Sequence, residues 1–178
     1  MIIALAGRRV DSADAKESRF PLRNVGIVRT RARAALKEIG ATALVSSAAC
    51  GADLIALSEA GKLGLRRRVV LPFERSRFRD TSVTDRPGDW GPLYDQVLDA
   101  VAAAGDLVVF QNGSDDEAYA AANRAILDEA VALAKAADEP AAVVLMWDGV
   151  SRGDHDLTED LGAEARKRGL AVTEVRTI

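Results

Sequence analysis

Six short apolar runs recur along the chain, at Ile2 to Ala6, Ala43 to Ser46, Arg68 to Leu71, Leu107 to Phe110, Ala142 to Trp147 and Ala171 to Val175. Continuous apolar runs of this length suit strands buried on both faces of a parallel sheet, and the longer alanine-rich stretches between them suit crossover helices. The pattern predicts an α/β fold: a single-domain Rossmann-like three-layer sandwich over residues 1–178, with a mostly parallel sheet of about six strands.

Helical periodicity places the crossovers. Asn24 to Ile39 carries Ile27, Ala34, Ala35 and Ile39 on a predicted inner face, with arginines outside and Gly40 as a stop. A helix from Gly51 or Ala52 to Lys62 stops at Gly64. Leu93, Val97 and Val101 repeat at helical spacing from Leu93 to Ala104, before Gly105. Glu117 to Ala137 is the longest candidate, and Thr158 to Arg168 ends at Gly169. Two segments lie outside this pattern, Asp11 to Arg23 and Phe73 to Pro92. Loops beyond about 12 residues are uncommon in compact domains unless they are functional or disordered. Both follow the C-terminal ends of predicted strands, where open parallel sheets bind ligands.

At 178 residues the chain suits one well-buried core, and 48% apolar with 29% charged residues favours a soluble globular protein. No apolar run approaches the roughly 18 residues of a spanning helix, and no basic leader precedes one. The expected location is cytoplasmic, without membrane contact. Cys50, the single cysteine, has no intrachain partner, which excludes a disulfide framework and a cysteine-rich zinc site. A net charge of −3 argues against nucleic acid as partner, because affinity for a long polyanion comes largely from neutralised phosphates. Local clusters, Arg8-Arg9 and the Arg75, Arg77, Arg79 series, still suit small anions. Arg66-Arg67-Arg68 reads as a solvated surface run at a strand entry.

The stretch Ser46-Ser47-Ala48-Ala49-Cys50-Gly51-Ala52-Asp53 runs from an apolar strand into a helix. Small residues let backbone N–H groups approach a ligand, and a helix start adds unpaired donors and a positive dipole end. It is a candidate phosphate-binding loop. Asp53, in the first helical turn, either caps free N–H groups or accepts a ribose hydroxyl. Cys50 reads as a packed thiol rather than a nucleophile.

Gly7-Arg8-Arg9 follows the first strand; the glycine permits a sharp turn, and either arginine can fork onto a phosphate. After the third strand, Pro72-Phe73 opens a loop in which Phe73 and Phe78 can sandwich a base and Arg75 or Arg79 can meet phosphate. Trp90 anchors the return of that loop. Trp147 ends the fifth strand as a candidate pocket wall, Gly149 and Gly153 frame the next turn, and Thr158 begins a helix. His155, the only histidine, reads as a solvated loop residue.

The Walker lysine and serine or threonine are missing, and so is Gly-x-Gly-x-x-Gly after the first strand. Together, Gly7-Arg8-Arg9, Val45 to Asp53, Leu71-Pro72-Phe73 and Trp147-Asp148-Gly149-Val150-Ser151-Arg152-Gly153 resemble, in order and spacing, the SLOG superfamily. That superfamily groups the DNA-processing protein DprA, LOG-type phosphoribohydrolases and nucleotide-sensor domains. The resemblance spans nearly the whole chain. It implies a nucleotide or nucleotide-derived small molecule held across the strand ends by the glycine-containing loops. LOG-type hydrolases carry Pro-Gly-Gly-x-Gly-Thr-x-x-Glu, whereas Gly149 to Asp160 here keeps two separated glycines and Thr158 but breaks the glycine pair.

The leading expectation is therefore nucleotide binding or sensing, with backbone donors from Ser47 to Gly51, arginines from the first and third loops, and a base pocket near Phe73 and Trp147. The alternatives are an N-glycoside hydrolase of nucleoside monophosphates, using Asp53, Asp80, Asp154 or Glu159, and a ligand-regulated scaffold. Neither a cofactor nor a metal site is assigned. Alanines in the longest helix suit either a homo-oligomer contact or helix–sheet packing.

Overall fold

The six apolar runs become β1 (Ile2–Gly7), β2 (Ala43–Ser46), β3 (Arg66–Leu71), β4 (Leu107–Val109), β5 (Ala141–Trp147) and β6 (Ala171–Arg176). The computed structural model describes residues 1–110 and 115–178. Its strands form one sheet, ordered β4-β3-β2-β1-β5-β6, in which every pairing is parallel. Ile2 aligns with Ala43 on one side and Ala141 on the other.

The helices are α1 (Val25–Glu38), α2 (Ala52–Lys62), α3 (Arg75–Ser82), α4 (Gly91–Ala103), α5 (Asp115–Ala137) and α6 (Leu157–Lys167). Strand side chains alternate between two cores. Ile3, Leu5, Leu44, Val69 and Leu71 face α1, α2 and α4, while Ile2, Ala4, Ala6, Val45 and Val70 face α5 and α6. Ala4 and Ala6 oppose Ala122, Ile126 and Ala130 of α5, so the inner alanines of that helix pack on the sheet, while Ala132, Ala136 and Ala137 are exposed. Among the described residues, no helix is long and apolar enough to cross a membrane.

Three local expectations change. First, Phe73 to Pro92 contains α3, whose first N–H groups, on Ser76 and Arg77, donate to the Glu74 carboxylate. Second, the fully buried stripe of α1 is Val28, Ala32 and Leu36; Ala35 and Ile39 pack partly buried against the same core as expected, while Ile27 is 48% exposed and Ala34 is exposed. Third, β3 begins at Arg66, and two of its three arginines are paired rather than merely solvated: Arg66 forks onto buried Asp106, and Arg68 bonds Glu129. The Asp11 to Arg23 segment is a loop closed at its neck, because Asp11 N–H donates to the Phe20 carbonyl at 2.8 Å and the Asp11 carboxylate accepts from the Arg19 and Phe20 amides. Phe20 is fully buried and anchors the closure.

Candidate functional site

The chain runs outward from β1 through β2, β3 and β4, then returns through α5 to set β5 on the other flank of β1. The strand order reverses between β1 and β5, the kind of switch point where parallel sheets bind ligands beyond their C-terminal ends. A cavity of about 420 Å³ opens there. Gly7 and Ser47 line it from the ends of β1 and β2, Pro72 from β3, Phe78 and Ser82 from α3, Tyr119 and Asn123 from α5, and Thr158 from α6. The closed loop adds Asp11, Ser12 and Arg19.

The small-residue stretch serves chain-to-chain approach as well as the cavity. A Cβ on Gly51 (φ +96) would lie 2.8 Å from the Arg8 carbonyl oxygen and the Val10 nitrogen. One on Gly7 would lie 2.3 Å from Ala52 Cβ. These two glycines let the start of α2 settle against the turn after β1. Gly51, Ala48 and Cys50 lie in the packed interior rather than on the cavity wall, and Ser46 donates to the Leu5 carbonyl at 3.0 Å, tying β2 to β1. The Cys50 and Ala52 amides donate to Ser82 and Arg8 carbonyls. Burial pushes the Cys50 thiol up, against the pull of Arg9.

Arg8, 3% exposed, is held from three sides: Nε to Asp148 at 2.8 Å, Nη1 to Asp156 at 2.7 Å and Nη2 to the Val150 carbonyl at 2.6 Å. Its guanidinium lies 5.4 Å over the Trp147 ring. Although Arg8 touches the cavity, its charge is matched by two carboxylates, and it ties β1 to the loop after β5. Arg19 joins the network through Asp148 at 2.7 Å and so straps the closed loop over the cavity. Arg9 bonds Asp85, and its Nε is buried without a partner.

Arg152 is a wall residue that sequence reasoning did not select, although it stands in the Trp147 to Gly153 motif. It approaches Asp156 only to 3.8 Å. Burial and the charges of Arg8 and Arg19 push its guanidinium below the ordinary value, against the pull of Asp156 and Asp148. An arginine stays protonated even so, and the result is a cation whose surroundings favour an incoming anion.

Phe73 and Trp147 do not line the cavity. Phe73 packs edge-on against Tyr119, with centroids 5.3 Å apart, and Trp147 belongs to the α5 and α6 core. The aromatic wall is Phe78 with Tyr119, whose hydroxyl lies 2.6 Å from the Ser82 hydroxyl. Arg79 turns away to fork onto Asp95, Arg75 bonds Asp99 at 2.7 Å, and Trp90 donates to the Pro87 carbonyl. Gly149, Gly153 and exposed His155 also stand off the wall, each at positive φ in the loop before α6. Tyr119 and Asn123 sit one helical turn apart, a polar pair on an otherwise alanine-rich face, and that spacing was the available sequence signal for them.

Asp53 supplies the remaining feature. It is 6% exposed in the first turn of α2 and lines the cavity. Oδ2 accepts from the Ser47 hydroxyl, while Oδ1 is buried without a partner. Burial raises its carboxyl to about 6, against the Ser47 and Ala49 hydrogen bonds and the Arg9 charge. In comparisons with known proteins, no protein-family model matches this chain and no curated protein does.

Proposed function

We propose that the cavity binds the phosphorylated portion of a nucleotide or nucleotide-derived small molecule. The observation that carries this reading is Arg152, a cation in the wall of a 420 Å³ cavity that meets its nearest carboxylate only at 3.8 Å. That volume lies within the range of small-molecule sites, roughly 300–1,000 Å³. Tyr119, half-buried in the wall and backed by the buried Phe78 ring, offers apolar surface to a base, and the position beyond the strand ends at the β1/β5 reversal suits a ligand. The SLOG-like order of motifs agrees with this reading.

Calorimetric titration with AMP, ADP-ribose and cyclic mononucleotides should find at least one ligand bound more tightly than millimolar. Arg152→Ala should weaken that ligand by roughly ten-fold or more, as expected for losing a charge-assisted hydrogen bond. Affinity no better than millimolar across the set would refute the proposal, and unchanged affinity in Arg152→Ala would refute the role of that residue.

A second reading, cleavage of the N-glycosidic bond of a nucleoside monophosphate, rests on Asp53. Of Asp53, Asp80, Asp154 and Glu159, it is the one in the cavity wall. Its carboxylate would stabilise the developing ribosyl cation while water adds to C1′ and the base leaves with a proton. Base release from AMP that disappears in Asp53→Ala supports hydrolysis; no release, or release retained in the variant, removes it.

A further inference from the structure

Asp53 combines two properties that rarely coincide. Its side chain is more than nine-tenths buried, yet one carboxylate oxygen has no hydrogen-bond donor. Buried polar atoms are almost always paired, and leaving an acceptor unpaired costs about 1–3 kcal/mol, more for a charged group. The Ser47 hydroxyl holds Oδ2, while Oδ1 is buried without a donor. Because Asp53 belongs to the cavity wall, a molecule bound there is the available source of the missing donor.

The donor's chemistry follows from what a carboxylate accepts and what the other walls take. A phosphate brings only acceptors and a like charge, so it is repelled from Asp53 and drawn to Arg152. The half-buried ring of Tyr119, backed by buried Phe78 and Ile126, suits the flat face of a base. Between these lies the sugar, whose hydroxyls are neutral donors of the size needed. We propose that the Asp53 carboxylate accepts a hydrogen bond from a ribose hydroxyl, so that the cavity selects ribose phosphates over their deoxy counterparts. This rests on the nucleotide reading above and adds the sugar that the site recognises.

Ribose 5-phosphate and 2-deoxyribose 5-phosphate, which lack a base, isolate the effect. Titrated against the whole chain, ribose 5-phosphate should bind at least ten-fold more tightly than the deoxy sugar, and AMP should exceed 2′-deoxy-AMP or 3′-deoxy-AMP similarly. Asp53→Ala should bring each pair to within about two-fold, and Asp53→Asn, which keeps the volume but replaces the charged acceptor, should narrow the gap; thermal unfolding verifies that both variants fold. If AMP binds but each sugar pair has equal affinity, or the preference survives in both variants, the sugar assignment is overturned while nucleotide binding stands. If neither AMP nor ribose 5-phosphate binds, the sugar assignment falls, and the nucleotide reading falls with it only if ADP-ribose and the cyclic mononucleotides also fail to bind.

Discussion

Arg8→Ala is expected to destabilise the fold by about 3–5 kcal/mol, the penalty for removing one member of a buried ion network. For a chain of this size that corresponds to a melting temperature lower by roughly 6–20 °C. The reason is what remains behind. Asp148 and Asp156 are 8% and 1% exposed and face the same guanidinium, at 2.8 and 2.7 Å. Asp148 keeps Arg19, and Asp156 keeps the amides of Arg152, Thr158 and Glu159, but neither is then matched by a buried cation. Burial would raise the Asp156 carboxyl; the Arg8 hydrogen bond and the Arg152 amide overcome this and hold it at about 2. A carboxyl held below its ordinary value contributes stability that is complete above that value and is lost as pH falls toward 2. Arg8→Ala should therefore also move the acid-unfolding midpoint to higher pH. Arg8→Lys should fall between the two, since an ammonium keeps the charge but cannot fork onto three acceptors. Urea titrations at pH 7 and pH 3 measure both effects, and a loss below 1 kcal/mol would mean that the network is not the tie between β1 and the loop after β5.

The same residue shows where local sequence stops being informative. Gly7-Arg8-Arg9 is legible as a turn with cations, but the partners of Arg8 lie about 140 residues away, and nothing near Arg8 announces them. The glycines repeat the lesson. Their meaning as places of close approach is correct, yet what approaches Gly51 is the backbone of Arg8 to Val10 rather than a ligand. The central strands β1, β2 and β5 were legible because the sheet buries both their faces and their runs are almost continuously apolar. β3 was shortened because its first residues are arginines that reach Asp106 and Glu129, so hydropathy there reports the side-chain tips and misses the strand. α3 was hidden for a related reason: of Arg75 to Ser82, only Phe78 and Ser82 are buried, too few to show a helical period, and its cap is a glutamate rather than the usual shorter side chain. α1 carries apolar residues at both Ile27 and Val28, and adjacent positions differ by about 100° around a helix, so Ile27 was read inward in place of Val28 although Ala35 and Ile39 do meet the core.

Asp53→Asn is expected to act in the opposite direction to Arg8→Ala, raising stability at pH 7 to 8 by up to about 3 kcal/mol. Burial lifts the carboxyl from its ordinary 3.8 to about 6, outweighing the Ser47 and Ala49 hydrogen bonds and the Arg9 charge. Between those two values the folded chain holds a proton that the unfolded chain has released, so stability falls as pH rises through this window. Above pH 6 the full penalty applies, and the gap of about two pKa units corresponds to about 3 kcal/mol. Asparagine never ionises and escapes that penalty. The advantage of the variant should shrink as pH falls through 6, be small at pH 4 and vanish below about pH 3, where the wild-type carboxyl is protonated in both states. Chemical denaturation of both proteins at pH 4, 5, 6, 7 and 8 reads this directly; a wild type equal to or more stable than Asp53→Asn at pH 7 would show that the ionised carboxylate is satisfied without a ligand. Retaining a carboxylate that weakens the empty fold is understandable where the ionised group is used in binding, because strain and destabilisation gather at functional sites. A ribose hydroxyl donating to Asp53 would favour its ionised form and release the proton. The wild type should therefore gain more stability from saturating ribose 5-phosphate than Asp53→Asn does, with the difference growing from pH 5 to pH 7.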